Sequence, residues 1–224
     1  MSRGSTSQPP LDDAVLAAQV GEYIEPHLRQ SLADARAIRG CRLETGAGGA
    51  DRLHLQLELG FPTGGYAPAL AAALAAHLAP LFAARGVAPE IVLDLHHKIS
   101  AHVVQRGLTP LTGIKNIVAV ASGKGGVGAN LALAWAAQGA RVGLLDADIY
   151  GPSQPIMLGL QGQRPSTRDG KRLIPLSAHG LVAMSIGFLV DVEQPMVWRG
   201  PMVTSALNQL LADTDWGDLD YLVV

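Results

Sequence analysis

The residues best placed to do chemistry stand in one short run, Gly123-Lys124-Gly125-Gly126-Val127-Gly128. Glycines lack a Cβ, so successive backbone N–H groups can converge on a phosphate, and a helix that starts there adds a favourable partial charge. A glycine-rich turn between a strand and a helix can also be purely structural. The lysine directly after the first glycine sharpens the phosphate reading. Two acids, Asp146 and Asp148, close the next apolar stretch. Carboxylates at such a place can hold water or a metal ion near a phosphate; ordinary capping of a strand end is the plainer reading.

Other reactive side chains are scattered. His96 and His97 are adjacent, so on a strand they point to opposite faces, which disfavours a shared metal. His27, His54, His77, His102 and His179 show no ligand spacing. Cys41 is the only cysteine, so it forms no intrachain disulfide and no metal cluster alone. That fits a reducing cytoplasmic setting.

The elements that must position the glycine run are legible around it. Ile117-Val118-Ala119-Val120-Ala121 is a continuous apolar run, the pattern of a strand buried on both faces of a parallel sheet. After the glycines a helical pattern ends at Gly139, a natural residue for a helix stop. Arg141 to Leu145 reads as the next buried strand, ending in Asp146; Gly180 to Ile186 and Leu219 to Val224 read as two more. Strand, glycine loop, helix, strand is the opening of a doubly wound α/β sheet.

A smaller unit precedes it. Residues 1–10 read as a loose polar tail. Residues 11–105 read as a small α+β domain: a helix over Leu11–Gly21 that could continue past Pro26, a strand over Ala35–Glu44, and a turn at Gly46, Gly48 and Gly49. A clean half-buried strand follows, in which Leu53, Leu55, Leu57 and Leu59 alternate with polar residues. An alanine-rich helix follows at Ala67–Ala84, then a strand over Ile91–Val104. The pattern breaks at residues 105–113, and the second unit spans 113–224.

Composition is 48% apolar and 16% charged with a formal net charge of −2, enough for a packed core but no electrostatic argument for nucleic acid or an anionic membrane. The alanine-rich stretch contains Pro68, His77 and Pro80, so it reads as a helix of a soluble domain rather than a membrane span.

The segments GIKNIVAVASGKGGVG, RVGLLDADIYGPSQPIMLG, SAHGLVAMSIGFL, MVWRGPM and WGDLDYLVV, in this order, resemble the ATPase domain of the Mrp/ApbC iron–sulfur cluster carriers. These are MinD/ParA-like P-loop proteins with a deviant Walker A motif. The resemblance runs from Gly113 to Val224, and DADIYGPS and WRGP set this group apart from other deviant-Walker ATPases. Residues 11–105 resemble, more loosely, the iron–sulfur-assembly domain that bacterial members carry ahead of the ATPase.

The resemblance implies a P-loop NTPase-like α/β sheet that binds ATP and Mg²⁺, with Gly123, Lys124, Gly125, Gly126, Val127 and Gly128 around the phosphates. It implies that Lys124 reaches a dimer partner's nucleotide, that Asp148 orients the attacking water, and that Asp146 supports Mg²⁺ through water. Arg199 is a weaker assignment near the nucleotide. It further implies a cytoplasmic homodimer that passes [4Fe–4S] clusters to apoproteins. A positioning ATPase acting on membrane or DNA is disfavoured by the near-neutral charge and by DADIYGPS.

Two departures stand out. After Gly128 the family pattern has Lys and then Ser or Thr, where this chain has Ala129 and Asn130. The lysine contacts the β- and γ-phosphates and the hydroxyl ligates Mg²⁺. A missing segment of the Lys-Ser-Thr-Thr-Ala kind accounts for this. Ala129–Gln138 would rise only about 15 Å, against ~17–20 Å for a typical strand. Second, the expected Walker B aspartate would follow Val224, and the cluster-holding C-x-x-C lies further on in the family. The 113–224 unit thus reads as the N-terminal half of the ATPase domain, and a degenerate, non-hydrolysing relative acting as a binding or scaffold protein stays open.

Overall fold

A computed structural model describes residues 11–45, 51–83, 89–102, 110–122, 126–168, 170–189 and 200–224. The chain divides into two compact units, Met1–Lys98 and Ile99–Val224, so the division falls ahead of the sequence break at 105–113.

In the first unit, α1 (Asp13–Gly21) starts at Asp12, whose carboxylate accepts the Val15 N–H at 2.8 Å. The helix does not continue past Pro26. Proline disfavours helical geometry in the residue before it, and β1 (Ile24–Glu25) instead turns back onto β2 (Gln30–Ser31) as an antiparallel hairpin. Glu25 is fully buried there, accepting the Leu28 N–H and the Tyr66 hydroxyl.

Next come β3 (Ile38–Thr45), β4 (Asp51–Leu59), α2 (Ala67–Ala83) and β5 (Glu90–His97). The sheet order is β3-β4-β5, with β3 antiparallel to β4 and β5 parallel to it across the α2 crossover. Leu53, Leu55, Leu57 and Leu59 put one face of β4 into a core shared with Leu16 and Val20 of α1. From α2 come Leu70, Leu74, Leu78 and Phe82, spaced four apart on one helical face. The turn glycines of 46–49 lie outside the described residues. β5 ends at His97, earlier than the expected Val104. His96 meets exposed Asp94 at 2.8 Å, while His97 meets Thr63 at 3.3 Å, so strand alternation separates the two rings.

The second unit contains β6 (Ile117–Val118), α3 (Gly126–Ala137), β7 (Val142–Asp146) and α4 (Gln154–Met157). A small hairpin, β8 (Thr167–Arg168) with β9 (Arg172–Leu173), precedes β10 (Leu176–Ala178) and β11 (Leu181–Ser185). After α5 (Gly200–Ala212) comes β12 (Tyr221–Val223). The sheet runs β10-β11-β7-β12-β6. Its last four strands are parallel and β10 is antiparallel at the edge. All five residues of β7 are buried, as its unbroken apolar run requires. α3 closes at Gly139, whose φ of 89° is open to glycine at little cost.

One expectation fails here. Among the described residues the apolar run from Ile117 forms a two-residue strand paired with β12 alone, and Ile117 is 50% exposed. An apolar run reports burial somewhere in the family of folds that use it, not how many strands flank it.

Asp220, just before β12, pins three segments together. Its carboxylate accepts from Lys115 Nζ at 2.7 Å, from the Arg141 backbone N–H at 2.9 Å and from Arg141 Nη2 at 3.3 Å. Burial alone would raise this carboxyl, but the bonds from Lys115 and Arg141 outweigh it and hold it at about 2. A depressed carboxylate stabilises the fold above its ordinary pKa and loses that contribution as pH falls through the folded value. The expected loss between pH 5 and pH 2 is about 2 kcal/mol. Asp220→Asn should lose about that much at pH 7 and show a flatter acid limb in urea titrations. Lys115 and Arg141 stay 35% and 52% exposed, which keeps the cost below that of a fully buried pair. Equal acid lability of the two proteins would rule the network out as the cause.

Candidate functional site

In an open parallel sheet, ligands bind beyond the carboxyl ends of the strands. Here β7 ends in Asp146, α3 begins at Gly126, and the Val120 N–H donates to Val224 O at 2.7 Å just past β6 and β12. Between them lies a cleft of about 130 Å³ lined by Ser122, Gly128, Asp146, Asp148, Ser153 and Gln154 together with apolar residues of the strands.

Asp146 and Asp148 differ in environment. Asp146 is only 6% exposed. One of its oxygens accepts the Asp148 N–H at 3.2 Å. The other accepts the Gln154 N–H and the Ser185 hydroxyl, each at 3.1 Å. Burial pushes its carboxyl up, those three hydrogen bonds oppose the rise, and the nearby Asp148 charge adds to it. Asp148 is exposed at the cleft, one oxygen accepting the Tyr150 and Gly151 N–H groups at 3.2 and 3.0 Å. The sequence placed both acids at a strand end; the structure adds that one is a held, buried acceptor and the other a solvent-facing one.

Of the glycine run, Gly126, Val127 and Gly128 form the first turn of α3. Gly123, Lys124 and Gly125 lie outside the described residues, as does Arg199. A Cβ on Gly128 would meet only Val223 and Val120 at 3.7 and 3.9 Å, ordinary contact distances. Packing among the described residues therefore does not demand glycine there. Val127 is 59% exposed. Ala129 is 1% exposed and faces the core, and Asn130 donates back to Gly126 O at 2.9 Å.

The described residues therefore suit half of a magnesium–nucleotide. Two carboxylates and neighbouring hydroxyls fit a hydrated divalent cation. The N-terminus of α3 opens beside them, but no lysine follows Gly128, Ala129 puts a methyl into the core, and no cationic side chain lines the described cleft. No hydrolytic step follows from this geometry.

Sequence reasoning missed Ser185 and Gln154. Gln154 follows Asp146 by eight residues and returns to it through a turn; Ser185 is its cross-strand partner in β11. Neither relation has a local pattern.

Comparison with known proteins matches residues 113–224 to the ParA family model described as NUBPL iron-transfer P-loop NTPase. An iron–sulfur cluster carrier protein of Pseudomonas fragi is 56% identical over 138 residues, 59% of this chain and 48% of that protein. One from Escherichia coli K12 is 42% identical over 216 residues, 94% of this chain and 56% of its own length. The iron–sulfur cluster transfer protein NUBPL of Dictyostelium discoideum is 50% identical over 119 residues, 50% of this chain and 37% of that protein. A solved nucleotide-binding protein of Archaeoglobus fulgidus in complex with ADP is 36% identical, covering 50% of this chain and 44% of its own, with a TM-score of 0.41. The chain spans about half the length of the first two curated relatives.

Proposed function

Because the chain belongs to the NUBPL iron-transfer P-loop NTPase family, we propose that it serves an iron–sulfur cluster carrier that binds ATP with Mg²⁺ and delivers clusters to apoproteins. The observation that carries this reading is the convergence of the α3 N-terminus with Asp146 and Asp148 at the carboxyl end of a parallel sheet. In it, Gly123–Gly128 face the phosphates and Asp146 holds the water shell of Mg²⁺. Asp148 orients a water, and Lys124 reaches the nucleotide of a second subunit in a homodimer. Arg199 is the weaker assignment beside the nucleotide. Bound Mg²⁺ supplies neutralisation of phosphate charge. The [4Fe–4S] cluster is cargo and the setting is cytoplasmic, without nucleic-acid or membrane partners. Among the described residues no helix is long and apolar enough to cross a membrane.

A second reading, a carrier that transfers clusters without hydrolysing ATP, is favoured by one observation: no lysine follows Gly128, and the residue that does, Ala129, is buried in the core. A chimaera separates the two. The 224 residues are followed by the part of the E. coli relative that lies beyond its match to this chain. Anaerobic reconstitution and transfer of the cluster to an apoprotein are then measured, with phosphate release alongside. Transfer is expected from the chimaera. Transfer with background phosphate release selects the second reading, transfer with turnover selects the first, and failure to transfer removes the carrier assignment.

A further inference from the structure

The loop that carries Asp148 is braced from a strand that the reaction chemistry never touches. Ser185, the last residue of β11, is fully buried and stands in register with Asp146 on the adjacent parallel strand. Its hydroxyl donates to Asp146 Oδ2 at 3.1 Å and accepts the Gly187 N–H at 3.1 Å. The same Asp146 oxygen accepts the Gln154 N–H, which closes the loop from residue 147 to 154 onto the strand end. Gly187 completes the brace. A Cβ there would sit 3.1 Å from Pro152 Cβ and Cγ and from Pro155 Cγ, so a side chain at 187 would push the two prolines back by a few tenths of an ångström. Asp148 and Pro152 lie on the loop, and Pro155 on the helix it leads into, the loop being held at three points: by Ser185 through Asp146, by the Gln154 N–H, and by the bare backbone of Gly187.

We propose that Ser185 and Gly187 are positioning residues that set the Asp146–Gln154 loop, and with it Asp148, for a divalent cation in the cleft. Ser185 acts through a hydrogen bond and Gly187 through the absence of a side chain, so the two can be perturbed by unrelated means. The inference rests on the nucleotide reading above for the identity of what the loop positions, but the brace itself does not.

The test uses the 224-residue chain with Ser185→Ala, Gly187→Ala and, as a control, Ala183→Gly. Ala183 lies in the same strand, is equally buried and makes no contact with the brace in the bonds above. Amide exchange at Gln154, followed by NMR, reads the brace without nucleotide. It is expected to quicken about fivefold in Ser185→Ala and Gly187→Ala, and not in the control even if its melting temperature falls. Affinity for a fluorescent ATP analogue is then measured in Mg²⁺ and in EDTA. The ratio of the two affinities should shrink about fivefold in both brace variants, with the EDTA value unchanged. An unchanged Gln154 amide in both variants overturns the proposal whatever the nucleotide does. Faster amides with an intact magnesium ratio overturn the assignment of the loop to a cation. If the unaltered chain binds no analogue in either buffer, the nucleotide reading fails and the amides alone decide the brace.

Discussion

Inserting Lys-Ser-Thr-Thr-Ala between Gly128 and Ala129 is expected to tighten binding of magnesium–ATP about 100-fold. The unaltered chain should bind in the millimolar range, about −4 kcal/mol, and release phosphate no faster than background. The physical reason lies in α3. Ala129 and Ala132 face the core, and the helix from Ala129 onward is seated by that contact. Five added residues at 1.5 Å each lengthen the helix by about 7.5 Å toward the cleft without moving that seated part. They place an ammonium and a hydroxyl at the cleft, where no cationic side chain now lines the described walls. A charge-assisted hydrogen bond from the ammonium, roughly 1.5–3 kcal/mol, with the hydroxyl as a further ligand for Mg²⁺, accounts for the gain. Replacing the inserted lysine by alanine should return most of it. Calorimetric titration of the three proteins settles the matter: equal affinities with and without the insertion would show that the cleft does not receive the triphosphate.

The second large effect concerns iron. The 224-residue chain is expected to retain less than about one tenth of a [4Fe–4S] cluster per chain after anaerobic reconstitution and desalting, because such a cluster is typically held by four thiolates. Cys41 is the only thiol, so a symmetric dimer would offer two. It is also a poor ligand where it stands. Partial burial, and then the charge of Asp13, push its thiol up to about 11, so the thiolate fraction at neutral pH is about one in ten thousand. Among the described residues no group of three or more histidine, cysteine, aspartate or glutamate side chains is placed to hold a metal. The chimaera with the E. coli relative, by contrast, should retain the cluster through the C-x-x-C that the family resemblance places there. Iron analysis and visible absorbance report both. A stoichiometric cluster that persists in Cys41→Ser of the 224-residue chain would mean that other ligands exist.

Much of the architecture was written locally. The leucine alternation from Leu53 to Leu59 dictates a strand with one buried face, and the structure buries those four residues. The unbroken run ending in Asp146 dictates a strand covered on both sides, and Gly139 dictates where α3 stops. Strand, glycine run and helix in immediate succession leave few places for the cleft, and Asp146 and Asp148 reach it by chain continuity alone. These features follow from periodicity, the missing Cβ of glycine and the short span between elements, all properties of a few neighbouring residues.

Tertiary structure decided the rest, because the deciding partners are far apart in the chain. β12 slots between β6 and β7 although both precede it in the sequence, and among the described residues β6 stands at the end of the sheet with Ile117 half exposed. Where the first helix could have continued past Pro26, a hairpin forms whose buried Glu25 is satisfied by Tyr66, 41 residues on. Asp220 finds Lys115 and Arg141 only when three separate segments meet. Ser185 acquires a role only through its register with Asp146, 39 residues away. Local pattern states which face of an element is apolar; which element covers that face, and which polar atom waits across from a given strand end, is settled by non-local pairing whose energy depends on the whole sheet closing at once.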